Sequence, residues 1–526
     1  MIGPVALAAA TLAAGPVLSG LHVSDGSRPY AGDGRLLATV SPNADGFRDR
    51  AVVGFRLAEA ASVRMDVRAT EQVGEESSRR VVWTHTWRLA QGLRTIEWRP
   101  PVGTQPRTYV LRLTALDRRG LKRVYGLGPP GRPPVAPVVR VQGIDAAFTR
   151  RSYAPGEGAE VRVASDASAL RLQVFAYAGG PFPTSDLDAR TSGTAVTGSI
   201  RVDWRAHRDA PALLRVVRAG NWHSGLYFLR LEAADGRVGY APFVVRPRGL
   251  GEHRVAVVLA TNTWQAYNFE DADGDGWGDT WYVSNRERTI DLERPFLDFG
   301  LPFRFHDWDL TFLSWLAQTG KQVDVLTDDD LDAVASGDEL ARAYDLLVFP
   351  GHEEYATQHM FDVVSRFRDL GGNLAFLAAN NFFWRVDRIG DELVKQAQWR
   401  QLGRPEASLV GVQYAGSNHG SVENPYVVAP DAPPWLLAGT GLAAGSRFGR
   451  YGIEIDALTQ DSPPGTTVLA TIPDAVGPGR TAEMTYYETP AGAKVFAAGA
   501  LDFAASVGEP PVSRLLENVW DRLARP

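Results

Sequence analysis

The side chains best suited to chemistry occur in three short polar and aromatic segments, residues 261–268, 351–357 and 379–384. Each segment directly follows a run of apolar residues. The second segment contains the pair His352-x-Glu354, which places an imidazole and a carboxylate on the same side of a turn. Such a pair suits metal binding coupled to proton transfer. The same two residues also suit capping of a following helix, so the pair alone leaves both interpretations open.

An acidic segment follows the first of these stretches and has the pattern of a calcium-binding loop, with Gly276 at position 6. The carboxylates at positions 1, 3, 5 and 9 are Asp271, Asp273, Asp275 and Asp279. Position 12 is Tyr282 instead of the usual bidentate glutamate. Either another carboxylate such as Glu270 completes a calcium site, or the segment is an acidic turn.

Four near-continuous apolar runs predict strands that are buried on both faces. They are residues 253–260, 345–350, 373–378 and 493–498. Between the middle two, apolar residues recur at helical spacing from Met360 to Leu370, and Gly371 follows as a helix terminator. Strand, helix and strand in this order predict a βαβ crossover in an open parallel sheet. Ligands bind beyond the carboxyl ends of the strands in such sheets, so the three polar segments should converge on one edge. Residues 512–523 predict a closing helix.

The N-terminal half has a different pattern, in which short β-type runs alternate with turns about every ten residues. This spacing predicts two all-β sandwiches of the immunoglobulin-like kind. The predicted organisation is an apolar leader (1–27), a first sandwich (35–127), a Pro-rich linker (128–137), a second sandwich (138–247) and an α/β domain (250–526). Trp222, Tyr227 and Tyr240 would suit a sugar-stacking surface, although aromatic residues in strands are more often core.

The leader resembles the apolar core of an export signal but lacks the usual positive start. We therefore expect an extracytoplasmic or secreted protein, with a cytoplasmic location as the alternative. No other segment approaches 18 uninterrupted apolar residues, so no transmembrane span is predicted in the mature chain.

Composition excludes several functions. The chain has 526 residues and no cysteine, which removes a thiol nucleophile, a thiolate zinc site, an iron–sulfur cluster and any disulfide. The net charge of −6 comes without a basic block, so we expect no nucleic-acid partner.

Two resemblances to known families refine this picture. The segment Ser41-Pro-Asn-Ala-Asp-Gly-Phe-Arg-Asp49 resembles the opening of bacterial immunoglobulin-like modules related to the flagellar hook-capping protein. A second set of motifs comprises Asn262-Thr-Trp-Gln-Ala-Tyr-Asn268, Trp277-Gly-x-x-x-Tyr282, Arg294-Pro295, Gly351-His-Glu-Glu-Tyr355 and Gly372-Asn-Leu-Ala-Phe-Leu377. Together these motifs resemble the large (beta) subunit family of N,N-dimethylformamidase, from residue 250 onwards and more loosely in the second sandwich.

The second resemblance implies a catalytic domain built like a class I glutamine amidotransferase without its cysteine. It implies hydrolysis of a small amide at a mononuclear non-haem iron bound by two tyrosines and one glutamate. Matched by motif, the iron ligands would be Tyr267, Tyr282 and Glu354. The matched residues beside the iron would be His352, Asn381 or its neighbour Asn380, and the acid/base candidate Glu454. The acidic insertion changes the distance along the chain between the two tyrosines, which leaves the second tyrosine open.

Our leading hypothesis is thus an exported, iron-dependent amidohydrolase that acts on an unidentified small amide. The alternative is a non-catalytic extracytoplasmic binding protein with an inactive α/β domain. A third possibility is a calcium-stabilised carbohydrate-active protein. The resemblance also implies a separate small subunit or a homo-oligomer as a partner.

Overall fold

The structure is a computed structural model, and it describes residues 16–70, 80–126, 135–177, 180–185, 193–282, 287–418 and 423–524. These residues form 33 strands in six sheets and nine α-helices, so the described part of the chain is mostly β. They divide along the chain into three units. Within the described ranges, none of the helices has the length and apolar character needed to cross a membrane.

The first unit consists of two sheets packed on one apolar core. Its strands are β1 (Leu18–Ser24), β2 (Leu37–Val40), β3 (Ala51–Leu57), β4 (Ala61–Ala69), β5 (Val81–Leu89), β6 (Gly92–Trp98), β7 (Arg107–Leu116), β8 (Lys122–Tyr125) and β9 (Val138–Val141). One sheet has the order β1-β3-β6 and the other β2-β9-β7-β4-β5, with β8 paired to β7. Alternate residues such as Val63, Met65 and Val67 are buried, which is the period-2 pattern that the sequence shows.

Both predicted boundaries of this unit need correction. Leu18–Ser24 pairs with β3, so the unit begins before residue 35 and includes part of the predicted leader. Val138–Val141 pairs with β2 and β7, so it belongs to this unit and not to the second. Short strands such as β1 and β9 are hard to predict from the local sequence, because the strands with which they pair are far away in the sequence. Residues 1–15 of the leader, residue 127 of the predicted first sandwich and residues 128–134 of the linker lie outside the described residues.

The second unit also packs two sheets on one core. Its strands are β10 (Asp145–Phe148), β11 (Ser152–Tyr153), β12 (Gly158–Ala164), β13 (Ala169–Tyr177), β14 (Gly193–Ala195), β15 (Ile200–Asp203), β16 (Ala212–Arg218), β17 (Gly225–Ala233) and β18 (Val238–Val245). The sheets have the orders β10-β12-β16 and β11-β18-β17-β13-β14, with β15 paired to β13. Tyr227 and Tyr240 are buried, and Trp222 stacks on Tyr227, so these aromatics serve the core. In both units the immunoglobulin-like strand order stays a prediction.

The third unit carries the remaining elements. Its strands are β19 (Val255–Leu259), β20 (Thr289–Asp291), β21 (Asp324–Thr327), β22 (Leu346–Phe349), β23 (Tyr355–Thr357), β24 (Asn373–Phe376), β25 (Trp384–Ile389), β26 (Glu392–Gln398), β27 (Gln413–Ser417), β28 (Glu423–Val428), β29 (Arg447–Ala457), β30 (Thr467–Ile472), β31 (Ala482–Glu488), β32 (Lys494–Ala497) and β33 (Ala500–Leu501). Its helices are α1 (Thr261–Ala266), α2 (Leu297–Gly300), α3 (Thr311–Gln318), α4 (Asp328–Asp332), α5 (Gly337–Ala343), α6 (Gln358–Asp369), α7 (Ala407–Val410), α8 (Pro434–Leu437) and α9 (Pro510–Leu523).

The main sheet of this unit is mixed, which corrects the prediction of a purely parallel sheet. Its order is β21-β19-β22-β24-β32-β31-β30-β28-β29-β27, with β33 paired to β29. The first five strands are parallel, and the rest are antiparallel. The four strands predicted from apolar runs all lie in the parallel part. A search for near-continuous apolar runs does not find the antiparallel strands, because several of them, such as β27, are only half-buried.

Helices cover both faces of the parallel part. Val255, Val257 and Leu259 of β19 pack in the core that includes α3 and α9, while Ala256 and Val258 pack in the core that includes α6. The predicted crossover is present as β22, α6 and β24. The Thr357 hydroxyl caps α6, and the chain leaves the helix through Gly371 at a φ of 97°. Resemblance of this unit to class I glutamine amidotransferases stays a prediction.

A small sheet of order β20-β26-β25-β23 lies beside the main sheet and supplies residues to the site described below. The second unit is joined to the third by Arg151, which bonds to Asp329, and by the Ser152 hydroxyl, which donates to Asp330. The first unit reaches the acidic loop of the third, since the Arg140 guanidinium donates to the Ala272 carbonyl.

A buried arginine joins the first and second units. Arg48 is 1% exposed, and its guanidinium pairs with Asp25 at 3.0 Å and with Asp209 of the second unit at 2.7 Å. It also donates to the Arg208 carbonyl and lies over the rings of Tyr30 and Phe47. A charge this buried is tolerated only because its donors are satisfied.

Replacement of this arginine tests the junction. We expect Arg48→Ala to lower the free energy of unfolding by about 3–5 kcal/mol, because it leaves Asp25 buried without its counter-charge. Arg28→Ala is the matched control, since Arg28 pairs with the same Asp209 but is 78% exposed. That control should cost at most about 1 kcal/mol. Urea denaturation measures both variants, and equal losses would contradict the assigned role.

Candidate functional site

The carboxyl ends of β19, β22 and β24 lie at one edge of the parallel sheet, and the three polar segments follow these ends. The first segment forms α1, the second forms a turn at 351–354, and the third forms an irregular stretch at 379–383. Hydrogen bonds among their side chains show that the segments meet. Parallel strand alignment is thus what gathers the site.

Tyr267 is the contribution of α1. It ends the helix, with its backbone N–H bonded to the Thr263 carbonyl at 2.9 Å, and its side chain is 4% exposed. The phenol donates to Glu354 Oε2 at 2.5 Å and lies 3.1 Å from His352 Nε2. Burial, and next the charge of Glu354, raise the pKa of Tyr267 well above its usual range.

His352 and Glu354 are fixed by backbone contacts. The Glu354 N–H donates to the Thr263 hydroxyl at 3.2 Å, and the Glu354 carbonyl accepts the N–H groups of Phe383 and Trp384. His352 Nδ1 donates to the Ala379 carbonyl at 3.0 Å, which directs Nε2 toward the carboxylates. The two segments after β22 and β24 therefore hold each other in place.

Two carboxylates face the imidazole. His352 Nε2 lies 3.4 Å from Glu354 Oε2 and 3.5 Å from Glu454 Oε2. Burial alone would lower the pKa of His352, but the hydrogen bond to Glu354 and the charges of both glutamates outweigh it and raise that pKa to about 9. Burial is also the main cause that raises the pKa of Glu454 to about 7, opposed by the charge of His352.

Asn380 joins the two carboxylates, and Asn381 does not. The Asn380 amide donates to Glu454 Oε2 at 2.9 Å and lies 3.4 Å from Glu354 Oε1. Asn381 instead donates to the Ala378 carbonyl at 3.0 Å. The reason is local: Asn380 has a φ of 56°, a left-handed conformation that asparagine tolerates, so the two side chains diverge. Of the two asparagines, the one at 380 belongs to the site.

Glu454 reaches the site from the antiparallel part of the sheet, far from the other residues in the sequence. It lies on β29, where the pairing with β33 is irregular between Gly452 and Ile455 and where Ile453 has a φ of 63°. Such irregularities redirect side chains next to functional sites. The Asp456 carboxylate, two residues on, accepts the Asn380 N–H at 2.8 Å and so ties β29 to the third segment.

Two further phenols, those of Tyr282 and Tyr355, lie beside Tyr267, and the choice of the second tyrosine stays open. Tyr282 packs edge-on against the Tyr267 ring, with 4.9 Å between ring centroids, and is half-buried. Tyr355 is 1% exposed, and its pKa is raised well above the usual range by burial, by the charge of Glu354 and by a hydrogen bond to Glu354. Tyr355 ends the motif that begins at Gly351, but the sequence assigned no function to it. Its position directly after Glu354 in the chain was the one sequence signal for a role at the site.

Lys395 of the small sheet is another residue that sequence reasoning missed. Its ammonium group lies 4.8 Å from the Trp281 ring centre and 5.0 Å from the Trp384 ring centre. Burial lowers its pKa to about 8, opposed by the charge of Glu354. Trp281 lies close to the phenols, with 5.0 Å between its ring centroid and that of Tyr355. Lys395 thus places a cationic side chain on the aromatic wall that Trp281 and Trp384 form.

The acidic loop brings together three of the four carboxylates of the predicted calcium-binding pattern. Side-chain oxygens of Asp271, Asp273 and Asp275 lie within 4.8 Å of one another. Asp279 is separate: it accepts the Ala272 N–H at 2.9 Å. Burial and neighbouring acids raise the pKa of Asp279 to about 6. Burial is also the main cause that raises the pKa of Glu270 to about 7. This loop does not contact the His352 cluster in any hydrogen bond of the described residues.

The comparison with known families agrees with the motifs. Residues 150–513 match the family described as N,N-dimethylformamidase beta subunit-like, C-terminal. The chain belongs to this family. The match includes the second unit as well as the third, and every residue of the His352 cluster lies within it. The resemblance to the N,N-dimethylformamidase large subunit family is therefore confirmed at the level of the family. The resemblance of residues 41–49 to immunoglobulin-like modules related to the flagellar hook-capping protein stays a prediction.

Two curated relatives carry the name N,N-dimethylformamidase beta subunit. The one from Alcaligenes sp is 25% identical over 284 residues, 41% of this chain and 36% of the relative. The one from Paracoccus aminophilus is 24% identical over 402 residues, 56% of this chain and 52% of the relative. The chain therefore spans about half or less of the length of the relatives it matches.

Among solved structures, a β-galactosidase from Bacillus circulans sp. alkalophilus aligns with a TM-score of 0.30 and 12% identity, covering 52% of this chain and 31% of the galactosidase. An α2-macroglobulin from Escherichia coli aligns with a TM-score of 0.23 and 10% identity, covering 44% of this chain and 16% of that protein. Similarity this low supports no inference about fold or function.

Proposed function

We propose that the third unit is a metal-dependent amidohydrolase that acts on a small linear amide. The observation that carries this proposal is the buried contact of the Tyr267 phenol with the Glu354 carboxylate beside His352. Three features support it: a donor set rich in oxygen, a histidine–glutamate pair for proton transfer, and membership of a family whose curated relatives are named dimethylformamidase subunits.

The donor set fits a hard cation such as iron. Phenolate and carboxylate oxygens suit hard Lewis acids, and these groups are shielded from water here. Burial and the charge of Glu354 raise the pKa values of the Tyr267 and Tyr355 phenols, and a cation beside them would stabilise the ionised phenolates. Tyr267 and Glu354 would hold the metal, with Tyr282 or Tyr355 as the second phenol. When bound, the metal supplies Lewis-acid polarisation of an amide carbonyl.

The protein's own groups account for the proton transfers. Hydrolysis forms a bond between the amide carbon and a water oxygen and breaks the carbon–nitrogen bond. Glu454 Oε2 accepts a proton from the attacking water and returns one to the departing amine nitrogen. Asn380 holds that oxygen at 2.9 Å, and His352 lies 3.5 Å away as a second proton-carrying group. The products are a carboxylic acid and an amine.

A partner subunit or a homo-oligomeric assembly of this chain is also a proposal. The relatives are named as beta subunits, so a partner subunit or a homo-oligomer is proposed on that ground. An extracytoplasmic location stays a prediction from the sequence. Measurements of iron content and of amide hydrolysis distinguish this enzyme from a non-catalytic binding protein with an inactive α/β domain.

Substitution of the ligand candidates tests the metal. We expect protein purified without chelators to contain iron and to show a visible phenolate-to-iron absorbance band. Tyr267→Phe and Glu354→Gln should each lose most of the iron, because each removes an anionic donor. Tyr486→Phe is the matched control, since its phenol bonds to Glu488 away from the site. Elemental analysis of the four proteins measures this, and an iron-free parent would favour the non-catalytic alternative.

The acid/base role has its own test. We expect Glu454→Gln to retain the metal but to lower kcat on an accepted amide by about 10²–10⁴-fold, because the proton acceptor is removed. Asn381→Ala should keep far more activity than Asn380→Ala, because only Asn380 contacts the two carboxylates. Steady-state kinetics over a panel of formamides and acetamides measures both effects. Equal losses at 380 and 381 would refute the assignment.

We further propose that the acidic loop binds calcium. Calcium at about 100 times its Kd should stabilise the fold by about 2.7 kcal/mol, because it binds the folded loop in preference to the unfolded chain. The double variant Asp273→Asn/Asp275→Asn should lose this gain, whereas the exposed control Asp431→Asn should keep it. Thermal melts in calcium, magnesium and a chelator measure the effect. A parent that melts identically in calcium and chelator would exclude the site.

A further inference from the structure

The strand β5 forms one edge of the larger sheet of the first unit, and among the described residues it pairs only with β4. The pairing is regular over residues 83–89. The opposite edge of the sheet is β2, whose four residues are all buried, whereas six of the nine residues of β5 are exposed. An edge strand of this kind presents backbone N–H and C=O groups that can pair with another strand.

The usual protection of an edge strand is weak in β5. Proteins commonly place lysine, proline or acidic residues on such strands to prevent pairing with other chains. Strand β5 contains none of these, and Arg88 is its one residue with a formal charge at pH 7. Val81 and Val82 at its start are 43% and 42% exposed, and Leu93, four residues beyond its end, is 70% exposed. Exposed apolar side chains along an unpaired edge favour burial against another chain.

Three aromatic rings stand at alternate positions of β5, on one face of the strand: Trp83, His85 and Trp87. The ring centroids are 5.8 Å apart from Trp83 to His85 and 4.5 Å apart from His85 to Trp87. The planes of His85 and Trp87 are inclined by 61°, and those of the two tryptophans by 45°. The rings therefore share no flat surface on which a sugar could stack, and their tilted edges suit packing against other aromatic side chains.

The sequence of β5 reads the same in both directions about His85. From Trp83 to Trp87 it is Trp-Thr-His-Thr-Trp, and an apolar residue stands at each end of the strand, Val81 and Leu89. In an antiparallel pair of two such strands, a two-fold axis at His85 places each residue opposite its counterpart in this palindrome. Trp83 then faces Trp87 of the second copy, and Val81 faces Leu89 of the second copy.

This arrangement also keeps like charges apart. Arg88 faces Val82 of the second copy and lies six residues, roughly 20 Å, from the other Arg88. Thr84 faces Thr86 of the second copy, and cross-strand threonine and aromatic pairs both stabilise antiparallel strands. A strand that binds a different protein has no need of such symmetry, so the palindrome favours a second copy of this chain as the occupant.

We propose that two copies of this chain pair antiparallel through β5, with a two-fold axis at His85, and so join their larger first-unit sheets into one continuous sheet. The same surface of both copies forms the interface, as in most symmetric dimers. Strand β5 lies outside residues 150–513, so the contact belongs to the part of the chain that the family match does not cover. The inference names the surface for the homo-oligomer proposed above and is independent of the amidohydrolase site.

Sedimentation velocity of the full chain measures the assembly. We expect the parent to sediment as a dimer, and the double variant Trp83→Ala/Trp87→Ala to raise the dimer Kd at least about tenfold, because both cross-strand aromatic pairs are lost. Trp435→Ala is the matched control, since Trp435 is also half-buried but lies on α8 of the third unit. A monomeric parent would overturn the proposal and would indicate that another protein or another part of this chain covers the edge. Equal Kd values in the parent and the double variant would overturn it as well.

The register of the pairing can be measured with single disulfides, because the chain has no cysteine. His85→Cys places the thiols of the two copies opposite each other, at a Cα separation of about 4.5–5.5 Å that a disulfide spans. We expect mild oxidation to convert most of this variant into covalent dimers on a non-reducing gel. Arg88→Cys is the matched control, an exposed position of the same strand whose two copies lie roughly 20 Å apart and should remain unlinked. Equal linking at the two positions would overturn the register.

The side chains at positions 85 and 88 are both exposed, so the disulfide test remains decisive even if the double alanine variant fails to fold. Iron content and amide hydrolysis separate this inference from the proposed function. If the parent is dimeric and linked through position 85 but has neither iron nor activity, the proposed function fails while the dimer stands. If the parent is active but monomeric, the dimer fails while the function stands.

Discussion

Burial of acidic groups is the constraint on which the rest of this structure depends. At the carboxyl edge of the parallel strands, carboxyl and phenol groups of four residues lie almost without access to water: Glu353, Glu354, Tyr267 and Tyr355. The side chain of Glu454 beside them is 16% exposed. Taking such groups out of water is costly unless each finds a hydrogen bond, a counter-charge or a proton. The arrangement of α1, the 351–354 turn and β29 follows from how these needs are met.

Each acid meets that need in a different way, and the differences separate their roles. Glu354 receives hydrogen bonds from Tyr267 and faces His352, which suits a ligand. The Glu454 carboxylate accepts a hydrogen bond from the Asn380 amide, and its pKa is about 7, which suits a general acid or base. Glu353 is fully buried, and burial together with the charge of Asp328 raises its pKa well above the usual range. One polar edge thus holds three glutamates in three electrostatic environments.

The two N-terminal units are attached to the third through polar contacts. Arg48 fills the junction of the first two units with a fully buried guanidinium, and Arg151 and Ser152 bond to residues at the start of α4. Helix α4 begins with Asp328, so the second unit is attached to the same short helix whose first carboxylate accepts the Asn262 N–H at the start of α1. This attachment gives a physical reason why the family match includes the second unit.

The sequence by itself determined the apolar strands, the helix at 358–369, the two-layer β pattern of the N-terminal half and the segments that carry the chemistry. Those features are encoded locally, because burial periodicity and chain-breaking glycines act over a few residues. Only the tertiary structure decided that Asn380 and not Asn381 meets the carboxylates, and that Glu454 of β29 reaches His352. A left-handed turn and contacts between segments distant in the chain set these outcomes, and no local pattern records them.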